Sequence, residues 1–197
     1  MTETVRQRQF IVALKGDDEN TLVTENIYTC MAFAGIDEDK GVVFLCHLNT
    51  FNCARGLPQL VDELRKHVND LSGFKLYTVA GLHPFVGWAF LAAAPVLAVL
   101  PPHRLLAAAV ALFIGCMLSA TRLAFGLQLR RLGIFPQPRN ARWPLVGLFG
   151  IFSSGVTVSA ATSSISEVRT YVARKPKAQN YVPKGNGWNM TNGRKTP

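Results

Sequence analysis

The sequence predicts an α+β head of antiparallel strands plus one helix, residues 1–83, fused to a transmembrane helical hairpin, residues 84–129. Three observations predict it. Within residues 1–83 the apolar residues fall in short β-branched and aromatic runs and switch once to helical spacing. Residues 84–100 are apolar without one charge, and a second run, 105–127, broken by Arg122, follows the interruption at Pro101 and Pro102. Charge divides at the same place. Residues 1–83 hold 8 Lys/Arg against 11 Asp/Glu, whereas residues 84–197 hold 13 Lys/Arg against one acid, Glu167.

In the head, residues 10–14 form an apolar run ended by the turn cluster Lys15, Gly16, Asp17 and Asp18. Residues 28–35 are small and aromatic and stop at the acidic turn 37–41. Residues 41–48, GVVFLCHL, are the strongest strand signal, β-branched and aromatic. Leu57, Leu60, Val61, Leu64, Val68 and Leu71 recur at steps of three and four, the buried face of one helix, which Ser72 and Gly73 close. Residues 74–80 read as a last strand. Strands, one helix and a strand make an α+β unit with antiparallel pairing.

The remainder reads as membrane-associated. A crossing helix needs about 20 residues, with about 17 as the short limit, and residues 81–100 and 105–127 reach that length with Trp88 as an interfacial anchor. Residues 130–165 form a basic connector, with Arg130, Arg131, Arg139 and Arg142, and a third apolar segment, 143–161, that spans, dips in or lies in the interface. Residues 166–197 form a basic tail whose prolines and glycines favour an extended, flexible chain. Two spans put connector, tail and head together on the cytoplasmic side and leave only Arg104 outside. The expected localisation is therefore a multi-pass membrane protein. Its tail suits anionic lipid headgroups. Ala107, Ala111 and Gly115, at four-residue steps, suit close helix approach in a homo-oligomer or a membrane complex. Nucleic acid is not an expected partner, because no stacking platform accompanies the charge.

Overall, 49% of residues are apolar and 17% charged, against about 25% charged in ordinary globular domains; this excludes a mainly disordered chain. The first ten residues have no apolar core of a secretory signal. The four cysteines, Cys30, Cys46, Cys53 and Cys116, include no CxxC pair, so they read as reduced thiols rather than a disulfide scaffold. A zinc site from Cys30, Cys46, His47 and Cys53 needs convergent ligands, yet Cys46 and His47 point to opposite faces of a strand. No metal and no cofactor is expected.

Two residues remain that carry chemistry. Cys30 lies near the start of one strand and His47 near the end of the next, so a hairpin around the acidic turn brings them together. An imidazole beside a thiol takes its proton, and the thiolate attacks a carbonyl. His47 shares its face with Val43 and Leu45, which leaves Cys46 as a packing thiol. Such a pair alone is more often structural than catalytic.

The stretch 24–30, TENIYTC, the acidic turn 37–41 and the strand 43–48, VFLCHL, together resemble the core of the CheD-type chemoreceptor glutamine deamidases. These are similar in fold to the catalytic domain of cytotoxic necrotizing factor toxins. The intervals of six from Thr24 to Cys30 and seventeen from Cys30 to His47 fit the family's Thr, Cys and His without a gap. The helix and strand that follow fit its element order. The resemblance implies Cys30 as nucleophile, His47 as general base and Thr24 as the residue that orients the imidazole, with a protein glutamine as substrate and ammonia released. It covers about 70 of the 197 residues. Tyr28 and Thr29 stand where the family has a small Gly-Ser pair, Ala80 and Gly81 stand for its glycine pair, and the hairpin takes the place of the family's second half. The expected function is a membrane-tethered cysteine hydrolase of deamidase type. The alternative is a non-catalytic, membrane-anchored interaction protein that keeps the head only to bind a partner.

Overall fold

The computed structural model describes residues 2–17, 21–27, 30–48, 51–80, 82–99, 104–133, 139–140, 152–171 and 191–192. Strands β1 (Thr2–Thr4), β2 (Gln9–Leu14), β3 (Thr21–Ile27), β4 (Met31–Asp37) and β5 (Val42–Leu48) come first. A 3₁₀ helix (Phe51–Gly56), α1 (Leu57–Leu64) and β6 (Lys75–Ala80) follow. Helices α2 (Leu82–Leu97) and α3 (Arg104–Leu132) come next, then β7 (Arg139–Asn140), β8 (Phe152–Ser159), β9 (Ser164–Tyr171) and β10 (Thr191–Asn192). The strands form two sheets, ordered β1-β3-β8-β9 and β10-β2-β5-β4-β6-β7.

Alternation along the central strands explains the layering. Phe10, Val12, Phe33, Phe44 and Cys46 face a helical layer, where they meet Leu57, Leu60, Leu64 and Phe74. The residues between them, Ile11, Ala13, Ala32, Ala34, Val43 and Leu45, face the second sheet and pack on Leu22, Ile27, Val156 and Val158. A side-chain period of two thus serves both faces of one sheet. Both faces are apolar, so the larger sheet lies between helices and the smaller sheet.

The β4–β5 hairpin carries His47 and begins one residue after Cys30. Asp37 accepts from the Lys40 amide at 3.0 Å, and Gly41 takes φ +64° at the turn, a conformation costly for residues with a Cβ. Inside the hairpin, a Cβ on Gly35 would run into the Phe44 ring, with Leu76 Cδ2 3.0 Å away. Gly35→Ala is therefore expected to cost about 1–3 kcal/mol, as overpacking does in close-packed cores, and to show as a lower midpoint in chemical denaturation.

The transmembrane hairpin of the sequence reading is corrected. Among the described residues, no helix is long and apolar enough to cross a membrane. Helix α2 has 16 residues and contains Pro95; at 1.5 Å per residue it reaches about 24 Å, short of a hydrocarbon core of about 30 Å. Helix α3 is longer, but its second half belongs to the head. Phe125 is 4% exposed and stacks edge-on against Phe33 at a centroid distance of 4.9 Å, while Ala124, Leu129 and Leu132 pack on the same core. The multi-pass localisation and the two-span arrangement, with head and tail cytoplasmic and Arg104 outside, fall with the crossing helices.

Other segments also change role. The third apolar run, residues 143–161, contains β8, which pairs antiparallel with β3 in the register Thr24↔Val156; residues 141–151 lie outside the described residues. The tail, expected to be flexible from residue 166, begins inside β9, which pairs along its length with β8. Its stretches 172–190 and 193–197 lie outside the described residues. Strands β8 and β9 thus supply a second sheet layer where the sequence reading left the head half-built. Of the small residues of α3, Ala111 is buried and a Cβ on Gly115 would lie 3.0 Å from the Gly87 carbonyl of α2, while Ala107 is exposed. Beyond this seam, Leu105, Leu106, Phe113 and Met117 are exposed.

Candidate active site

Thr24 and His47 come from different sheets and meet between them. Thr24 lies within β3, paired on one side to β8. His47 is the penultimate residue of β5. Its neighbours Cys46 and Leu48 belong to the cluster under the helices, so alternation sends the imidazole toward the smaller sheet. Both side chains are buried. Thr24 Oγ1 lies 2.7 Å from His47 Nδ1.

The proton on the ring follows from the inventory of donors. A threonine hydroxyl has one hydrogen, and Thr24 Oγ1 donates it to the Val5 carbonyl at 2.8 Å. Toward His47 the hydroxyl oxygen can therefore only accept, so Nδ1 carries the proton and Nε2 presents its lone pair. Nε2 is buried and, among the described residues, has no hydrogen-bond partner. Leaving a buried polar atom unpaired costs about 1–3 kcal/mol. Burial also holds the imidazole neutral, lowering its pKa from 6.5 to about 4. A neutral ring with a bare Nε2 is the form in which histidine accepts a proton.

Cys30 immediately precedes β4 and packs in the cluster between the sheets with Ala32 and Ala34. Ala32 is the direct partner of His47 across the β4–β5 ladder. Cys30 lies two residues before Ala32, just ahead of the first ladder pair, Met31↔Leu48. Nε2 makes no hydrogen bond to the thiol in this resting arrangement; such bonds are often long before substrate binds. Of the three residues read from the sequence, Thr24 and His47 meet between the sheets, and Cys30 packs in the apolar cluster between the same sheets.

The other cysteines separate from this space. Cys46 is buried on the helical side, and burial pushes its thiol well above the usual range, as expected of a packing residue. Cys116 is exposed on α3, and the side chain of Cys53 lies outside the described residues. Among the described residues, no three His, Cys, Asp or Glu side chains gather as metal ligands. Tyr28 and Thr29, which precede the cysteine, are also outside the described residues.

The Val5 carbonyl had no signal in the sequence. It acts through the main chain, and nothing in the side-chain pattern marks which carbonyl meets a hydroxyl 19 residues away. Thr24 was singled out only through the family resemblance, since β3 itself is mostly polar.

Burial of His47 makes stability depend on pH. Folded His47 stays neutral down to about pH 4, whereas the unfolded ring protonates near 6.5. Between these values the unfolded chain binds the extra proton, so stability is full above pH 6.5 and falls as pH drops toward 4. The gap is worth about 3 kcal/mol. Denaturant titrations at the two ends of that window are expected to differ by this amount in the wild type and by less in His47→Gln.

No protein-family model matches the chain, and no curated protein matches it in sequence.

Proposed function

We propose that the chain is a cysteine-dependent amide hydrolase of the protein-glutamine deamidase type, with Cys30 as nucleophile, His47 as general base and Thr24 as the group that orients the base. The observation that carries this reading is the 2.7 Å Thr24–His47 bond, with Nε2 unpaired in the space that Cys30 shares. The Thr, Cys and His spacing of the CheD-type deamidases supports the same assignment.

The chemistry follows from the groups present. Nε2 takes the Cys30 proton, and Sγ attacks the side-chain carbonyl carbon of a glutamine. The tetrahedral intermediate collapses as imidazolium returns that proton to the amide nitrogen, which leaves as ammonia. A glutamyl thioester remains on Cys30. Water, relieved of a proton by Nε2, attacks the thioester carbonyl, and the thiol departs with that proton. The net change is one amide and one water to one acid and one ammonia.

A second reading has its own observation. Cys30 is 5% exposed and His47 2%, so a head that only binds a protein partner, with the pair as part of its core, fits the closed site. Alkylation separates the two. For an activated thiol, peptide mapping after brief iodoacetamide treatment at neutral pH is expected to find Cys30 modified before Cys46, and the preference is expected to vanish in His47→Gln. Equal resistance of Cys30 and Cys46 would favour the binding protein.

A further inference from the structure

The short crossover between the two sheets, residues 5–8, touches both halves of the candidate site. It leaves β1, which pairs parallel to β3 in the register Thr4↔Val23, and enters β2, which pairs with β5. At its start, the buried Val5 donates its amide to the Val23 carbonyl at 2.8 Å and accepts the Thr24 hydroxyl at its own carbonyl, also at 2.8 Å. At its end, the Arg8 amide donates to the carbonyl of His47 itself at 2.8 Å. Arg8 holds φ +63° there, a conformation an arginine adopts only against local strain. Between these points the Arg6 amide donates to Gln9 Oε1 at 3.2 Å, and the Gln9 amide to the Arg6 carbonyl at 3.1 Å.

We infer that this crossover is a positioning device for His47: the Val5 carbonyl fixes which ring nitrogen bears the proton, and the Arg8 amide holds the His47 backbone at the spacing the Thr24 bond requires. Two hydrogen-bond directions are open between the Thr24 hydroxyl and His47 Nδ1. With its hydrogen free, Thr24 could donate to Nδ1, and Nε2 would then carry the ring proton and face Cys30 as a donor. The Val5 carbonyl removes that option, because it is itself only an acceptor and takes the single hydroxyl hydrogen. The base thus depends on a main-chain atom near the start of the chain. The Val5 carbonyl and the Arg8 amide act through Thr24 and His47. The catalytic meaning of this device rests on the proposed hydrolase reading, while the proton placement stands without it.

Nitrogen NMR of the full chain with labelled histidine reads the tautomer directly, with His47 identified by the signals lost in His47→Gln. The wild type is expected to show Nδ1 protonated and Nε2 bare. Inserting one glycine between Arg6 and Gln7 lengthens the crossover while leaving every site side chain in place. The lengthened chain is expected to show both tautomers and a roughly tenfold slower alkylation of Cys30, since the wrong tautomer removes the base from its share of molecules. Thr24→Ser is expected to keep the wild-type tautomer, and Thr24→Val to lose it. A wild type protonated on Nε2, or a folded insertion chain with an unchanged tautomer, overturns the inference. Should the lengthened chain fail to fold, Thr24→Val decides instead: an unchanged tautomer there overturns it. The expected tautomers together with an unreactive Cys30 in the wild type would support the positioning device and remove the hydrolase reading.

Discussion

Replacing His47 with Gln is expected to lower hydrolysis of a glutamine side chain by roughly 10²–10⁴-fold, the range a general base contributes. Cys30→Ala is expected to abolish turnover, and the Cys30/His47 double variant to lose no more than Cys30→Ala does. Groups that act as one unit are not additive. Thr24→Val should cost less than either, because the ring stays in place and only its tautomer is released. Cys46 is a useful control: it lies on the opposite face of the strand from His47, so Cys46→Ala should change stability and leave turnover intact. Release of ammonia from a glutamine-bearing protein reads all of these in one assay.

The largest effect on stability is expected from a residue far from the head in sequence. Phe125 fills the space over Phe33 from helix α3, and Phe33 in turn stacks on Phe44 at 5.1 Å. Phe125→Ala is expected to destabilise the head by about 3–5 kcal/mol, as large-to-small changes of buried aromatics do. Phe113, on the same helix, is 67% exposed, and Phe113→Ala should leave the melting of the head nearly unchanged. Thermal unfolding followed by near-ultraviolet circular dichroism compares the two. If both substitutions leave the transition where it is, α3 is not part of the head.

That contrast also marks where the sequence ceased to be readable. The strands over 10–14, 41–48 and 74–80 and the start of the helix at Leu57 were legible because each buries apolar residues at its own period, although the helix ends at Leu64 rather than running to Leu71. Strand β3, TLVTENI, was not, because polar residues and a register shift between Thr24 and Ile27 break its alternation. Strand β8, FSSGVTVS, sits at the end of an apolar run, and a run without charges does not say whether strands, helices or lipid cover it. The same ambiguity led the second half of α3 to be read as a crossing helix rather than a lid on the sheet. The alternation that puts His47 opposite Cys46 was readable, and so was the spacing of Thr24, Cys30 and His47. The partner strand of Thr24 and the main-chain carbonyl that polarises its hydroxyl come from long-range pairing, which no local pattern encodes.

The central claim is that the thiol of Cys30 and the imidazole of His47 convert a glutamine amide to an acid through a thioester. Mass spectrometry of a glutamine-bearing protein, incubated with the full chain in water enriched in heavy oxygen, tests it most directly. The wild-type chain is expected to replace the side-chain nitrogen by one oxygen from the solvent, and Cys30→Ala to leave the glutamine unchanged. Equal conversion by the wild type and Cys30→Ala would contradict it.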